Sequence, residues 1–154
     1  MPALDVLALS TTALWAVTFL LALASGLVPF VINTELFLLG VAALTDASPG
    51  AIVALAVSGQ MLGKFAVYQV GRGALNVAWV RRGAASSAAK AFVRHPANGL
   101  AVLALSSVTG VPPFYGVSFM AGTLRLPPTA FLLIGTIGRV IRFGAVLLVP
   151  QLFR

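Results

Sequence analysis

Three stretches of the chain, 6–27, 50–71 and 127–149, are each apolar over the roughly 20 residues that a helix needs to cross a bilayer. Lipid offers no partner for free peptide groups, so a segment that enters it must close its own backbone hydrogen bonds, and unbroken runs of this length do so as helices. The remaining sequence agrees. Of 154 residues, 60% are hydrophobic and 8% charged, against about a quarter charged in a soluble domain. The expectation is an all-α polytopic membrane protein forming one membrane domain over residues 1–154, with an N-terminal transmembrane helix. The first apolar stretch, Leu4 to Leu27, ends near "ALAS", which resembles a signal-peptide cleavage site. It lacks the usual basic n-region and carries Asp5 there instead, so it reads as a permanent helix.

Composition also narrows the chemistry. With no Cys, one His and three acids, Asp5, Glu35 and Asp46, the chain lacks the groups for a disulfide framework, a thiolate metal site or a Cys nucleophile. No metal, no cofactor and no enzymatic activity are expected. The formal charge of +7 raises the question of nucleic acid, but the ten Lys and Arg are scattered among apolar spans. No stacking aromatics interleave with them on a polar surface, so the charge reads as topology and lipid contact, with no nucleic-acid partner. His95 has no acid or nucleophile near it in sequence and reads as a surface residue.

Two apolar segments are interrupted. Residues 28–44 carry Pro29 near the start and Asn33, Thr34 and Glu35 at the centre, and 99–124 is broken by "TGVPPFYG". Apolar legs around a polar or proline-rich tip are the pattern of a re-entrant hairpin, with Pro29 at one tip and Pro112, Pro113 and Gly116 at the other. Such backbone survives at membrane depth only where protein or a water-filled cavity satisfies it. The alternative for 28–44 is a full crossing. The two regions also resemble each other: Gly40, Pro49 and Gly59 answer to Gly122, Pro128 and Gly138, and "SGQMLGKF" lies over "IGRVIRFG". This predicts two repeats, about 28–71 and 99–150, each a hairpin followed by a transmembrane helix.

Between them lies the polar linker 72–98, with Arg72, Arg81, Arg82, Lys90 and Arg94, half of all the basic residues, while "TDASP" at 45–49 has none. The positive-inside bias makes the linker cytoplasmic. With one hairpin opened from each side, the repeats are inverted. Within the linker, 84–95 reads either as a helix on the membrane surface or as a solvated basic loop.

Gln60, Lys64, Tyr68 and Arg72 recur at i+4 and form one polar stripe on the second long span. Arg72 reaches the headgroups, but Lys64 lies about 12 Å deeper and must face protein or water, or pair with Glu35 to close the fold. Gly59 and Gly63 form a GxxxG on the neighbouring face, which serves close packing within the chain or between two copies in a homo-oligomer. Arg139 and Arg142 lie three apart on the last span. A charge at a helix centre costs about 2.5–3.5 kcal/mol, so something anionic should meet them, unless they only anchor the helix at an interface. Ser106, Ser107 and Thr109 flank the second tip and can bond its backbone, with no base to activate them as nucleophiles. If the tips meet, Asn33 and Glu35 join Lys64, Arg139 and Arg142 in a site with two surplus positive charges, which suits a phosphate-bearing headgroup. Glu35 then titrates as a coupling group or serves as a permanent ion-pair partner.

"GLVPFVINTELFLLG", "GQMLGKFAVYQVGRG" and "GVPPFYGVSFMAGTLRLPPTAFLLIGTIGR" together resemble the DedA family, the SNARE-associated or VTT-domain membrane proteins, over roughly residues 24–145. The resemblance implies two inverted re-entrant hairpins between transmembrane helices, and translocation of phospholipids or polyprenyl phosphates, flippase- or scramblase-like, in the bacterial inner membrane. Glu35 matches the family's acid after the first hairpin proline. Gly63, Tyr68, Gly71 and Arg72 match its "G....Y..GR..G" stretch, and Asp46 lies near where members often place a second acid. An earlier family acid is replaced here by Ser25, and the arginines flanking the second-hairpin proline by Ser107, Thr109 and Tyr115; Arg139 and Arg142 supply that charge from the next helix. The site expected is therefore Glu35, Asn33, Lys64, Tyr68, Arg139 and Arg142, with membrane lipids as partners. A non-transporting scaffold and a small-ion or drug transporter are the rival expectations.

Overall fold

The computed structural model describes residues 11–28, 34–44, 48–74 and 96–148. They form six helices: α1 (Thr11–Leu27), α2 (Thr34–Leu44), α3 (Pro49–Gly73), α4 (Pro96–Thr109), α5 (Phe114–Thr123) and α6 (Pro128–Leu148). Two of them, α3 and α6, are long and apolar enough to cross a membrane, and the arrangement is compatible with a helical membrane protein. Both begin on a proline, tolerated in the first turn because its missing N–H has no intrahelical partner there. Ser48 caps α3, its hydroxyl accepting from the Ala51 amide.

The glycines of α3 let α1 lie against it. A Cβ on Gly59 would come within 2.5 Å of the Phe19 carbonyl oxygen, and one on Gly63 within 2.6 Å of that of Leu23. The GxxxG is thus buried against α1 inside the chain and is not a face for a second copy. Contacts rising together, Phe19 with Gly59 and Gly26 with Gly63, make α1 and α3 parallel. Only a short connection separates α2 from α3, and Thr34 touches Ser25, so α2 starts at the end of α1 and runs back.

The remaining described helices are α4, α5 and α6. Ser107 sits against Gly138 and Val108 meets Arg142, so α4 and α6 are parallel, and α5 runs back from the break at 110–113. Between the halves the direction reverses. Tyr68 stacks on Phe131 while Met61 packs on Gly135, so α3 and α6 are antiparallel. Each half's short returning helix crosses to the other half's long one, α5 onto α3 and α2 onto α6.

The ends of α1 and α4 fall at the same distance along α3 and α6. The end of α1 lies beside Gly63, fourteen residues into α3, and Gly110 lies beside Arg142, fourteen residues into α6. At 1.5 Å per residue both are about 21 Å from the start of their long helix. The first break differs from the sequence expectation. α1 ends at Leu27, and Thr34 and Glu35, expected at the tip, already belong to α2, while residues 29–33 lie outside the described residues. Helices commonly end at or before the residue preceding a proline, and here Val28 precedes Pro29.

The second break falls where "TGVPP" predicts it. Gly110 ends α4 with φ +79°, a conformation that costs other residues about 1 kcal/mol or more, and its amide still donates to Ser106 O at 2.9 Å. Ser106 Oγ donates to Pro112 O at 2.5 Å, and Thr109 Oγ1 accepts from the Val111 amide at 3.1 Å. The hydroxyls flanking the break therefore satisfy its backbone. Gly116 does not hold this tip: it lies in the first turn of α5, with open space where a Cβ would be. The residue the tip requires is Gly110, signalled by a glycine at the end of an apolar helix just before prolines.

Candidate functional site

Three helices bring the charged residues of the middle of the bundle together. Glu35 stands in the first turn of α2, where a carboxylate is favoured by the helix dipole, and its Oε1 accepts from Arg142 Nε at 2.6 Å, with Arg142 Nη2 also in contact. The Arg142 guanidinium lies against Gly110, and its Nη1 donates to Val108 O at 3.2 Å. One side chain of α6 thus holds both the start of α2 and the break between α4 and α5. The expected alternative partner of Glu35, Lys64, is not the one used, and Arg142 does not serve merely as an interfacial anchor.

Lys64 is 4% exposed and has no carboxylate partner among the described residues. Its ammonium lies over the Tyr115 ring, 5.0 Å from the centroid, in the first turn of α5. Arg139 is 7% exposed, its guanidinium carbon 4.6 Å from the Phe114 ring centroid and 5.9 Å from that of Phe143. Its Nε is buried without a hydrogen-bond partner. Arg139 is close enough to repel both Lys64 and Arg142 and to attract Glu35. Aromatic faces stabilise a cation by about 0.5–2 kcal/mol, which offsets part of the burial and does not neutralise the charge. Arg142 is matched by Glu35, while Lys64 and Arg139 remain two buried cations beside each other.

Tyr68 lies elsewhere. It is fully buried, stacked on Phe131 at 4.9 Å, and its hydroxyl donates to Leu126 O at 2.6 Å and accepts from Arg72 at 3.3 Å. Its work is to fasten the end of α3 to the turn before α6. The fourth member of the stripe, Gln60, turns to the first half. Its Nε2 donates to Ser25 Oγ and Thr34 Oγ1, both at 3.3 Å, and its Oε1 is buried with no partner. Pro112 and Pro113 lie exposed in the second break, Pro113 immediately before α5. Asn33, Pro29, Asp46, Asp5, His95 and segment 84–95 lie outside the described residues. Sequence reasoning missed Gly110, Ser25 and Thr34 as parts of this centre. Only the glycine carried a local signal.

Among the described residues no cluster of His, Cys, Asp and Glu is suited to a metal ion. The chain matches no protein-family model, no curated protein and no solved structure.

Proposed function

We propose that the protein is a bacterial inner-membrane translocase of a phosphate-bearing lipid, a phospholipid or polyprenyl phosphate, built as two inverted re-entrant hairpins in the manner of the DedA family. The observation that carries the reading is the pair of buried cations, Lys64 and Arg139, beside one another without a carboxylate of their own. A buried charge left uncompensated is expensive, and a site that keeps two of them calls for an anion that comes and goes. Their neighbourhood supports access from both sides: the two breaks lie at matching depths in helices of opposite direction, and α4 and α5, at about 21 and 15 Å, are too short to cross a hydrocarbon core of about 30 Å.

Membrane integration is supported further by the outward faces. Leu20, Leu62, Leu105, Leu133, Ile137 and Ile141, on α1, α3, α4 and α6, are each more than 50% exposed, as lipid-facing positions would be. In this reading Lys64 and Arg139 meet the phosphate. Glu35 holds Arg142 away from it, so that opening this ion pair would gate the site. Arg72 and Arg125, exposed at the end where α3 finishes and α6 begins, support a cytoplasmic placement of that end and of the linker. The scaffold alternative is favoured by one observation: the Glu35–Arg142 pair already joins α2, α4 and α6, as an architectural pair would.

The test is translocation of tail-labelled phospholipids and polyprenyl phosphate in proteoliposomes, with Arg139→Ala and Glu35→Gln beside the unaltered protein. Accelerated movement that Arg139→Ala abolishes, with the folded protein intact, supports the reading. No acceleration for any anionic or zwitterionic phospholipid or polyprenyl phosphate leaves the scaffold.

A further inference from the structure

Among the described residues two buried side-chain atoms have no hydrogen-bond partner, Gln60 Oε1 and Arg139 Nε. They stand at corresponding places, each the twelfth residue of its long helix, and the overlay of "SGQMLGKF" on "IGRVIRFG" pairs them. One is an acceptor and the other a donor. The donor belongs to the cationic pair already described, whereas the acceptor has no role in it.

Among the described residues, neither hydroxyl bonded to Gln60 has a hydrogen to give it. Thr34 Oγ1 donates to Ser25 Oγ at 2.8 Å, and Ser25 Oγ donates to Ala22 O at 2.7 Å, so both hydroxyl hydrogens are committed. The Gln60 amide donates to these same oxygens at 3.3 Å, at the long end for such bonds, and its carbonyl is left over. A buried acceptor of this kind forfeits about 1–3 kcal/mol until something donates to it. Gln60 precedes Lys64 by four residues on one helix face, which puts their Cβ atoms about 5–6 Å apart. The residue with the unpaired acceptor thus stands one helical turn before the lysine that would hold a phosphate.

We infer that the headgroup carried at the Lys64–Arg139 pair bears a hydroxyl next to its phosphate, and that Gln60 Oε1 receives that hydroxyl as the headgroup passes. This rests on the translocation reading and narrows its substrate class. An ammonium, though also a donor, would add positive charge to a site where one phosphate monoanion already leaves a surplus of it. A choline has the same charge and no hydrogen to donate.

Two lipids of equal charge separate the hydroxyl from the phosphate. Proteoliposomes containing the full chain would be loaded in parallel with tail-labelled phosphatidylglycerol and tail-labelled phosphatidylmethanol, both monoanions, the second without a hydroxyl. The unaltered protein should move phosphatidylglycerol about fivefold faster, the ratio that one net hydrogen bond provides. Gln60→Met, similar in volume and without an acceptor, should erase the ratio. Equal rates for the two lipids in the unaltered protein overturn the inference, as they would if a buried water served Gln60 throughout, and so does a ratio that survives Gln60→Met. The comparison within the unaltered protein decides even if the variant fails to fold. If neither lipid moves, the translocation reading fails, and this inference fails with it.

Discussion

The Glu35–Arg142 pair makes a quantitative claim about how the halves are fastened. Glu35 is 33% and Arg142 23% exposed at the side chain, so the pair lies between a surface ion pair, worth about 0–1 kcal/mol, and a fully buried one, whose rupture costs about 3–5 kcal/mol. Two unit charges about 4 Å apart attract by about 1 kcal/mol in water and about 4 kcal/mol at an effective dielectric of 20, which brackets the coupling at about 1–3 kcal/mol. Glu35→Gln keeps an acceptor for Arg142 and removes only the charge, so it should destabilise by about 1–2 kcal/mol. Arg142→Met removes the charge and also the donor to Val108 O, and should cost about 1 kcal/mol more, since one hydrogen bond goes with it.

A double-mutant cycle over these two substitutions, read by reversible unfolding in mixed micelles, measures both quantities. The double variant should be less destabilised than the two single effects added, by the coupling of about 1–3 kcal/mol. A coupling below about 0.5 kcal/mol, or Glu35→Gln proving more damaging than Arg142→Met, would refute the clamp. In the second case Glu35 would be holding something other than Arg142 at a higher premium.

The remaining expectations concern single positions. Gly110→Ala forces a Cβ into φ +79° and to within 2.7 Å of Arg142 Nη1, and should lower stability by about 1–3 kcal/mol in thermal unfolding, whereas Gly116→Ala, in an open helical position, should be neutral or stabilising by up to about 1 kcal/mol. Tyr68→Phe loses the 2.6 Å bond to Leu126 O and should destabilise by about 1–2 kcal/mol in the same assay while lipid translocation continues; loss of transport in a stably folded variant would return Tyr68 to the site. Arg125 holds φ 53°, its amide donating to Gly122 O and that of Leu126 to Ala121 O in a helix-ending turn that favours glycine, so Arg125→Gly should raise the unfolding midpoint by the equivalent of about 1 kcal/mol. A drop instead would mean that the guanidinium contributes more than its backbone strain costs.

The long spans and the second break were legible because each is written locally, in run length and in the glycine and prolines after Thr109. The polar stripe of α3 was legible as a buried face but not as a set of destinations. A helix of 25 residues passes several neighbours, and its face meets α1 and α2 at Gln60, α5 at Lys64 and the turn before α6 at Tyr68. The spacing of Arg139 and Arg142 suggested a shared role. Residues three apart are displaced by about 60° around the helix, enough to turn one towards Phe114 and the other towards Glu35. That Glu35 would choose Arg142, 107 residues away, over Lys64 depends on where α2 docks, which no local pattern states.

The breaks and the charges bear on one another through depth. A break about 21 Å along a helix that crosses a core of about 30 Å leaves about 9 Å of core beyond it, and the two breaks approach from opposite directions. On the proposed reading their reaches overlap across the middle, where Lys64, Arg139, Arg142, Glu35 and Gln60 would lie. A cation at that level on an unbroken bundle would be separated from headgroups on either side by about half the core. Between two overlapping breaks it is separated from polar backbone by a few residues on each side, and hydroxyls such as Ser106 and Thr109 carry hydrogen bonding into the interval. Under the translocation proposal, the same arrangement also shortens the apolar stretch that a headgroup would cross to reach the two cations.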